Sequence, residues 1–301
     1  MVDGTPAKGR KQQGSMTALV TPFAPDGAVD WACAARLAER QIEAGTHWLV
    51  PGATTGESPT LSCEERDRLL GLMIERARGR CGVLAYTGCN CTAETVQRTR
   101  CAAEMGADAG MIVAPYYNRP TPKGLFQHFA AVAEAVELPL VLYNVPARTG
   151  VSIPNDVVVR LRQTFPHITA IKHATGSVSG VTELLQQCDI AVLSGDDSLT
   201  WPLMALGAVG VVSVLGNLVP DVIESLIQAG LNGDLRGGQP YHRKVTDLAE
   251  NLAVQGPNPL PIKAAMAAVG LIEEVFRLPL CPVDEGARVE IKALLRRHEI
   301  T

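Results

Sequence analysis

What constrains this chain most is a pattern that recurs eight times: a short, β-branched apolar run followed by a helical stretch. The runs are MTALVT (16–21), HWLVP (47–51), CGVLAY (81–86), AGMIVAP (109–115), LPLVLYNV (138–145), ITAIKH (168–173), IAVLSG (190–195) and GVVSVL (210–215). Each is apolar almost throughout rather than alternating, which is how a strand reads when crossover helices cover both of its faces. Between them the pattern predicts helices near 30–44, 63–78, 92–105, 124–136, 155–164, 177–187, 198–207 and 218–230. Asp30 and Ser62 are placed to cap helix starts, and Gly45, Gly106 and Gly207 to end helices in the left-handed conformation. Units spaced by roughly 20 to 35 residues suit a βα repeat. Eight of them predict an α/β chain closed into a (β/α)8 TIM barrel over residues 14–230. The rival, an open doubly wound sheet, calls for a glycine-rich turn after the first strand, and TPFAPDG carries no G-x-G-x-x-G spacing.

Past residue 230 the strand signal stops. Helices are expected at 234–254, 260–276 and 284–298, separated by GPNPLP and LPLCP. They form a C-terminal helical extension (231–301) that must lie on the barrel, since three helices alone bury little. Residues 1–13 read as a flexible, basic N-terminal extension. It lacks the apolar run of a secretory signal, so a cytoplasmic location is expected. With 301 residues, 47% of them hydrophobic, the chain has material for one large core. A net charge of −4 speaks against nucleic-acid and anionic-membrane partners, which reward a basic face. No apolar stretch approaches the length of a membrane span. Eight cysteines are too sparse for a disulfide framework, and the Cys89–Cys91 pair has no further ligands nearby. Free thiols and no metal are expected.

In such a barrel chemistry belongs at the C-terminal ends of the strands. Lys172, one of seven lysines, ends the sixth strand. An amine held there is partly desolvated, which favours the neutral form able to add to a carbonyl. The alternative is a lysine whose stem lies on apolar surface with its head in water. Tyr143, ending the fifth strand, can relay protons into the same mouth or simply wedge strand against helix. Arg148, five residues on, is a rigid fork suited to a carboxylate, although loop arginines are common. Thr54, Thr55 and Gly56 follow the second strand and could form a nest for a small carboxylate, with Glu57 and Ser58 bracing that loop or binding a ligand themselves. Tyr116 and Tyr117, between prolines after the fourth strand, suggest an interface or lid. Asp196 and Asp197 fit a loop brace better than a cation site.

Taken together, GATTGES (52–58), PYYNRP (115–120), YNVPARTG (143–150), IKHATG (171–176) and LSGDD (193–197) closely resemble the dihydrodipicolinate synthase family. That family sits within the pyruvate-dependent class I aldolases, beside N-acetylneuraminate lyase. The resemblance runs from about residue 14 to 298, with the motifs in order. It implies that Lys172 condenses with pyruvate, and that the resulting enamine attacks L-aspartate 4-semialdehyde to give 4-hydroxy-tetrahydrodipicolinate on the diaminopimelate route to lysine, with no cofactor. Tyr143, Thr55 and Tyr117 would form a proton relay, Tyr117 crossing a dimer interface. Thr54 and Thr55 would hold the pyruvate carboxylate and Arg148 that of the second substrate, while Gly195 and the Val212 backbone line the pocket. The implied assembly is a homotetramer, a dimer of dimers whose minimal active unit is the dimer. A lysine-binding regulatory site would match Ser58, Asn90, Glu94 and Tyr116. Several positions depart from the family pattern: His173 stands where Glu commonly follows the lysine, Pro51-Gly52-Ala53 precedes the threonines where many relatives place a small residue and then Gly, and Cys63 and Arg66 stand where regulated relatives often carry histidines. The other enzyme compatible with these residues is a pyruvate-dependent aldolase or dehydratase acting on a sugar acid or hydroxy-oxo acid.

Overall fold

The computed structural model describes residues 10–301. Eight parallel strands close on themselves in chain order: β1 (Gly14–Ala18), β2 (Trp48–Val50), β3 (Gly82–Tyr86), β4 (Ala109–Val113), β5 (Leu140–Asn144), β6 (Ile168–His173), β7 (Ala191–Ser194) and β8 (Gly210–Ser213). The ring shuts where Gly14 of β1 faces Gly210 of β8. Alternate side chains divide two apolar environments. Met16, Trp48, Leu84, Met111, Val141, Leu193 and Val212 fill the barrel interior. Their neighbours Leu49, Val83, Ile112, Leu142, Ile171 and Val192 pack outward beneath the helices. Both faces of every strand are therefore buried, which is why the runs read as continuously apolar.

The helices are α1 (Trp31–Glu43), α2 (Cys63–Ala77), α3 (Thr92–Met105), α4 (Pro122–Ala135), α5 (Pro146–Thr149), α6 (Asn155–Thr164), α7 (Val178–Gln187), α8 (Thr200–Ala205), α9 (Pro220–Leu231), α10 (Gln239–Ala253), α11 (Leu260–Ala268) and α12 (Glu285–Arg297). Their ends are set by local chemistry. Asp30 accepts the Cys33 N–H to cap α1, and Ser62 with Glu65 forms a reciprocal capping box on α2. Gly106 closes α3 at a φ of 93°. The second expected C-terminal helix, 260–276, stops instead at Ala268, and Gly270 at a φ of 72° turns the chain away. A short helix, α5, also stands between β5 and α6, where the sequence pattern predicts none.

The four last helices share one apolar cluster. Val245, Leu248, Leu252, Ile262, Ile291 and Leu294 meet Leu215, Ile223 and Leu226, and the cluster reaches Cys33 and Leu37 of α1. This packing carries the α10–α11 connection over the C-terminal mouth of the barrel. Of the N-terminal segment expected to be flexible, residues 1–9 lie outside the described part. Beyond them Arg10 donates to the Gly79 carbonyl and Gln12 is buried. No helix among the described residues is long and apolar enough to cross a membrane.

Candidate active site

Four strand ends and one helical connection meet at this mouth. On β6, Ala170 faces the interior, and alternation sends Lys172 the same way while Ile171 and His173 face the helices. Lys172 is buried and stands opposite Tyr143 in the β5–β6 register, with Nζ 4.2 Å from the centre of the phenol ring. His173 lies on the far side of the strand, its Nδ1 3.3 Å from Thr175 Oγ1, and burial lowers its pKa, favouring the neutral ring. The residue that departs from the family pattern therefore does not face the amine.

The loop after β2 is built to hold its shape. Gly56, Glu57 and Ser58 donate backbone hydrogen bonds to Ala53, Thr54 and Ala53 in turn. A Cβ on Gly56 would come 3.0 Å from the Leu19 carbonyl and 3.1 Å from the Gly52 backbone, so any larger residue would crowd the loop. Glu57 sits at a φ of 56° and gives its carboxylate to Lys263 of α11 at 2.6 Å, both side chains having no exposed surface. Lys263 Nζ donates further to the carbonyls of Thr21 and Val275, and burial pushes its pKa down against the pull of Glu57. An ion pair this deep is fully supplied with partners, the condition under which burial of charge is tolerated. It fixes the segment bearing Thr54 and Thr55.

Thr55 is buried, and its Oγ1 accepts from the Asn258 carboxamide at 3.0 Å. Arg148, on α5, donates to the backbone carbonyl of the same Asn258 at 2.9 Å. Asn258 belongs to the α10–α11 connection, between Pro257 and Pro259. From sequence that stretch reads only as a linker. Its two prolines were the one available signal that a side chain there is held rigidly.

At the end of β7, Gly195 allows close approach, since a Cβ would stand 2.5 Å from Ala174 Cβ. Asp197 is a brace, as expected: Ser213 Oγ donates to one oxygen, and the Val214 and Leu215 N–H groups to the other. Asp196 carries no such partners, and burial raises its pKa against the field of Lys172. Val212 is buried in the interior on β8. Among the described residues no three His, Cys, Asp or Glu side chains gather as a metal site.

Two cavities of about 360 Å³ each open beside these residues. One is lined by Gly195, Asp196, Glu250, Asn258 and Ile262. The other is lined by Thr54, Ser58, Arg66, Tyr116, Arg98 and Arg148. Tyr117 belongs to neither: it is 90% exposed at a φ of 73°. Its loop is tied down by Asn118, which donates to the Asn90 carbonyl, and by Arg119, which donates to that of Gly150. Ser58 and Tyr116 thus share a cavity. Glu94 does not line it and is paired with Arg98 of the same helix. Burial pushes the Glu94 carboxyl upward, but Arg98, the Cys89 thiol and Arg66 together hold it below the usual range.

The chain is similar to known proteins along nearly its whole length. Residues 11–298 match the model of the dihydrodipicolinate synthetase family. A 4-hydroxy-tetrahydrodipicolinate synthase of Geobacter sulfurreducens is 43% identical over 292 residues, 96% of this chain and 99% of that one. The chloride-inhibited dihydrodipicolinate synthase of Acinetobacter baumannii, solved with pyruvate, superposes with a TM-score of 0.93 at 43% identity, covering 96% of this chain and 99% of the other. The enzyme of Cyanidioschyzon merolae, solved with lysine bound, gives 0.93 at 34% identity, covering 97% and 100%.

Proposed function

The chain belongs to the dihydrodipicolinate synthetase family, and from that premise we propose that Lys172 is its imine-forming residue. The enzyme is a lyase that condenses pyruvate with aspartate 4-semialdehyde to give 4-hydroxy-tetrahydrodipicolinate, in lysine and diaminopimelate biosynthesis. The observation that carries the site assignment is the pairing of a buried lysine with a buried tyrosine at the C-terminal end of adjacent barrel strands.

The neutral amine of Lys172 adds to the ketone of pyruvate, and loss of water leaves an iminium. That cation is an electron sink, so the methyl group loses a proton and an enamine forms. Thr54 and Thr55, on their clamped loop, hold the pyruvate carboxylate, and Gly195 with the Val212 backbone borders the imine. The enamine carbon attacks the aldehyde of the semialdehyde, whose carboxylate Arg148 meets. Tyr143 and Thr55 deliver the proton to the new alkoxide. The substrate's own amine then closes the ring and releases Lys172. No cofactor or metal enters this sequence, because the iminium does the activating.

Tyr117 points away from its own barrel, which supports the third member of the relay being supplied to a neighbouring subunit. The smallest active unit is then a dimer, paired again into a homotetramer. Eight free thiols suit a reducing cytoplasm. L-lysine is assigned to the cavity of Ser58 and Tyr116, close to Asn90 and Glu94, as a weak inhibitor: Arg66 can take its carboxylate, but Glu94 is already engaged by Arg98.

Treating the enzyme with pyruvate and borohydride, then mapping the adduct by mass spectrometry, tests the imine. A coupled assay offering aspartate 4-semialdehyde beside sugar-acid and hydroxy-oxo-acid aldehydes tests the acceptor. An adduct on another lysine defeats the site. Faster turnover of another aldehyde defeats the acceptor.

A further inference from the structure

Asn258, in the α10–α11 connection, bonds two groups of the site, one through its side chain and one through its backbone. Its Nδ2 donates to Thr55 Oγ1, and its backbone carbonyl receives Arg148 Nη2. Its remaining polar atom, Oδ1, is buried and has no hydrogen-bond partner among the described residues. A buried carbonyl oxygen left unmatched costs free energy, so a donor is expected to meet it in the working complex.

We propose that Asn258 is a specificity-determining residue, whose carboxamide oxygen accepts a hydrogen bond from the α-ammonium group of the aldehyde acceptor while its N–H orients the Thr55 hydroxyl. The inference rests on the acceptor being aspartate 4-semialdehyde. In that molecule the amine and the carboxylate sit on the same carbon. A carboxylate gripped by Arg148 therefore brings the amine beside the residue that holds Arg148. The cavity there carries two more groups of the right sign, the carboxylates of Asp196 and Glu250. A neutral oxygen also suits the reaction, because the amine must shed its charge to close the ring, and a carboxylate in contact would oppose that loss. On the other side, Thr55 already accepts an N–H, so its own hydrogen is free to be donated to Tyr143 or to the substrate. One carboxamide thus sets the direction of the relay and reads the acceptor.

The experiment compares aspartate 4-semialdehyde with succinic semialdehyde, which lacks only the amine. KM is measured for the first and Ki for the second, together with the yield of borohydride-trapped pyruvate. Asn258→Ala should lower kcat through the lost Thr55 contact and raise KM about 10- to 100-fold, the worth of a hydrogen bond to a charged group, leaving Ki and the trapped yield unmoved. Asn258→Asp retains an accepting oxygen but no N–H for Thr55, so it should recover KM while kcat stays low. KM and Ki rising together, or a falling yield of adduct, would make Asn258 a mere scaffold and overturn the proposal. So would an aspartate variant indistinguishable from the alanine one. Wild-type enzyme that traps pyruvate yet does not turn over aspartate 4-semialdehyde sinks the assigned acceptor, and this inference with it.

Discussion

Tyr143 and Lys172 occupy facing positions on neighbouring parallel strands, and the side chain of the lysine lies against the phenol of the tyrosine, with Nζ 4.2 Å from the ring centre. Backbone register, the stiffest element of the fold, thus sets their separation. Tyr143→Phe should keep the ring and lower kcat by roughly 10²–10⁴, the range for a positioned proton donor. Adding Thr55→Val should cost far less than the product of the two single effects, because members of one relay are not additive. Steady-state rates of the two singles and the double decide it, and multiplicative losses would separate the residues.

Tyr117 is held outward by a loop anchored at Asn90 and Gly150. Subunits carrying Tyr117→Phe and subunits carrying Tyr143→Phe should each be impaired alone. Mixed and re-equilibrated, they should regain part of the activity through one intact composite site. Absence of recovery, with subunit exchange verified by mass, would return Tyr117 to its own subunit.

Glu57 and Lys263 are the deepest ion pair in the described structure. Lys263→Met leaves a carboxylate buried without its cation and should destabilise the fold by about 3–5 kcal/mol. Adding Glu57→Gln removes the stranded charge and should restore part of that loss in urea denaturation. Equal stability of the single and double variants would show that the pair is not coupled.

His128 is buried on α4 with Nδ1 2.9 Å from Thr92 Oγ1 and no partner for Nε2 among the described residues, and burial lowers its pKa to about 4 from 6.5. Between those two values the unfolded chain binds more protons than the folded one, so stability rises with pH across the window. The penalty is absent above the upper value and complete below the lower, on the order of 3 kcal/mol. His128→Phe should flatten this part of the stability profile. Parallel curves for variant and wild type would exclude His128 as the source.

L-lysine should inhibit only partially, at millimolar concentrations or weaker, an order-of-magnitude expectation for a ligand whose ammonium group competes with Arg98 for Glu94. Initial rates at saturating pyruvate should lose their lysine dependence in Glu94→Ala and gain sensitivity in Arg98→Ala. A flat response in all three proteins rules out this cavity as a lysine site.

The barrel was legible because its strands are buried on both faces and its helices are punctuated by residues such as Asp30, Ser62 and Gly106. Lys172 and Tyr143 could be found because a strand end is a place that sequence can mark. Asn258 could not. Its role depends on how α10 and α11 pack over the mouth, some two hundred residues from Thr55, and no local pattern encodes that approach. Glu57 reads from sequence as a loop brace or a ligand contact, yet its partner Lys263 lies within a helix whose other buried residues are plain apolar filling. Helix α5 was missed because four residues carry no period to read.

The α10–α11 connection divides the labour of the enzyme between two parts of the chain. Lys172 and Tyr143 sit on barrel strands, where any shift disturbs the whole ring. The contact that touches both Thr55 and Arg148 hangs from a loop outside that ring. On the proposed reading of Asn258, substitutions in this peripheral loop should change which aldehyde is accepted, with a cost in turnover wherever the Thr55 contact is lost. For an engineer seeking new products from this scaffold, residues 254–259 are the dial to try first, and the barrel is the engine it is attached to.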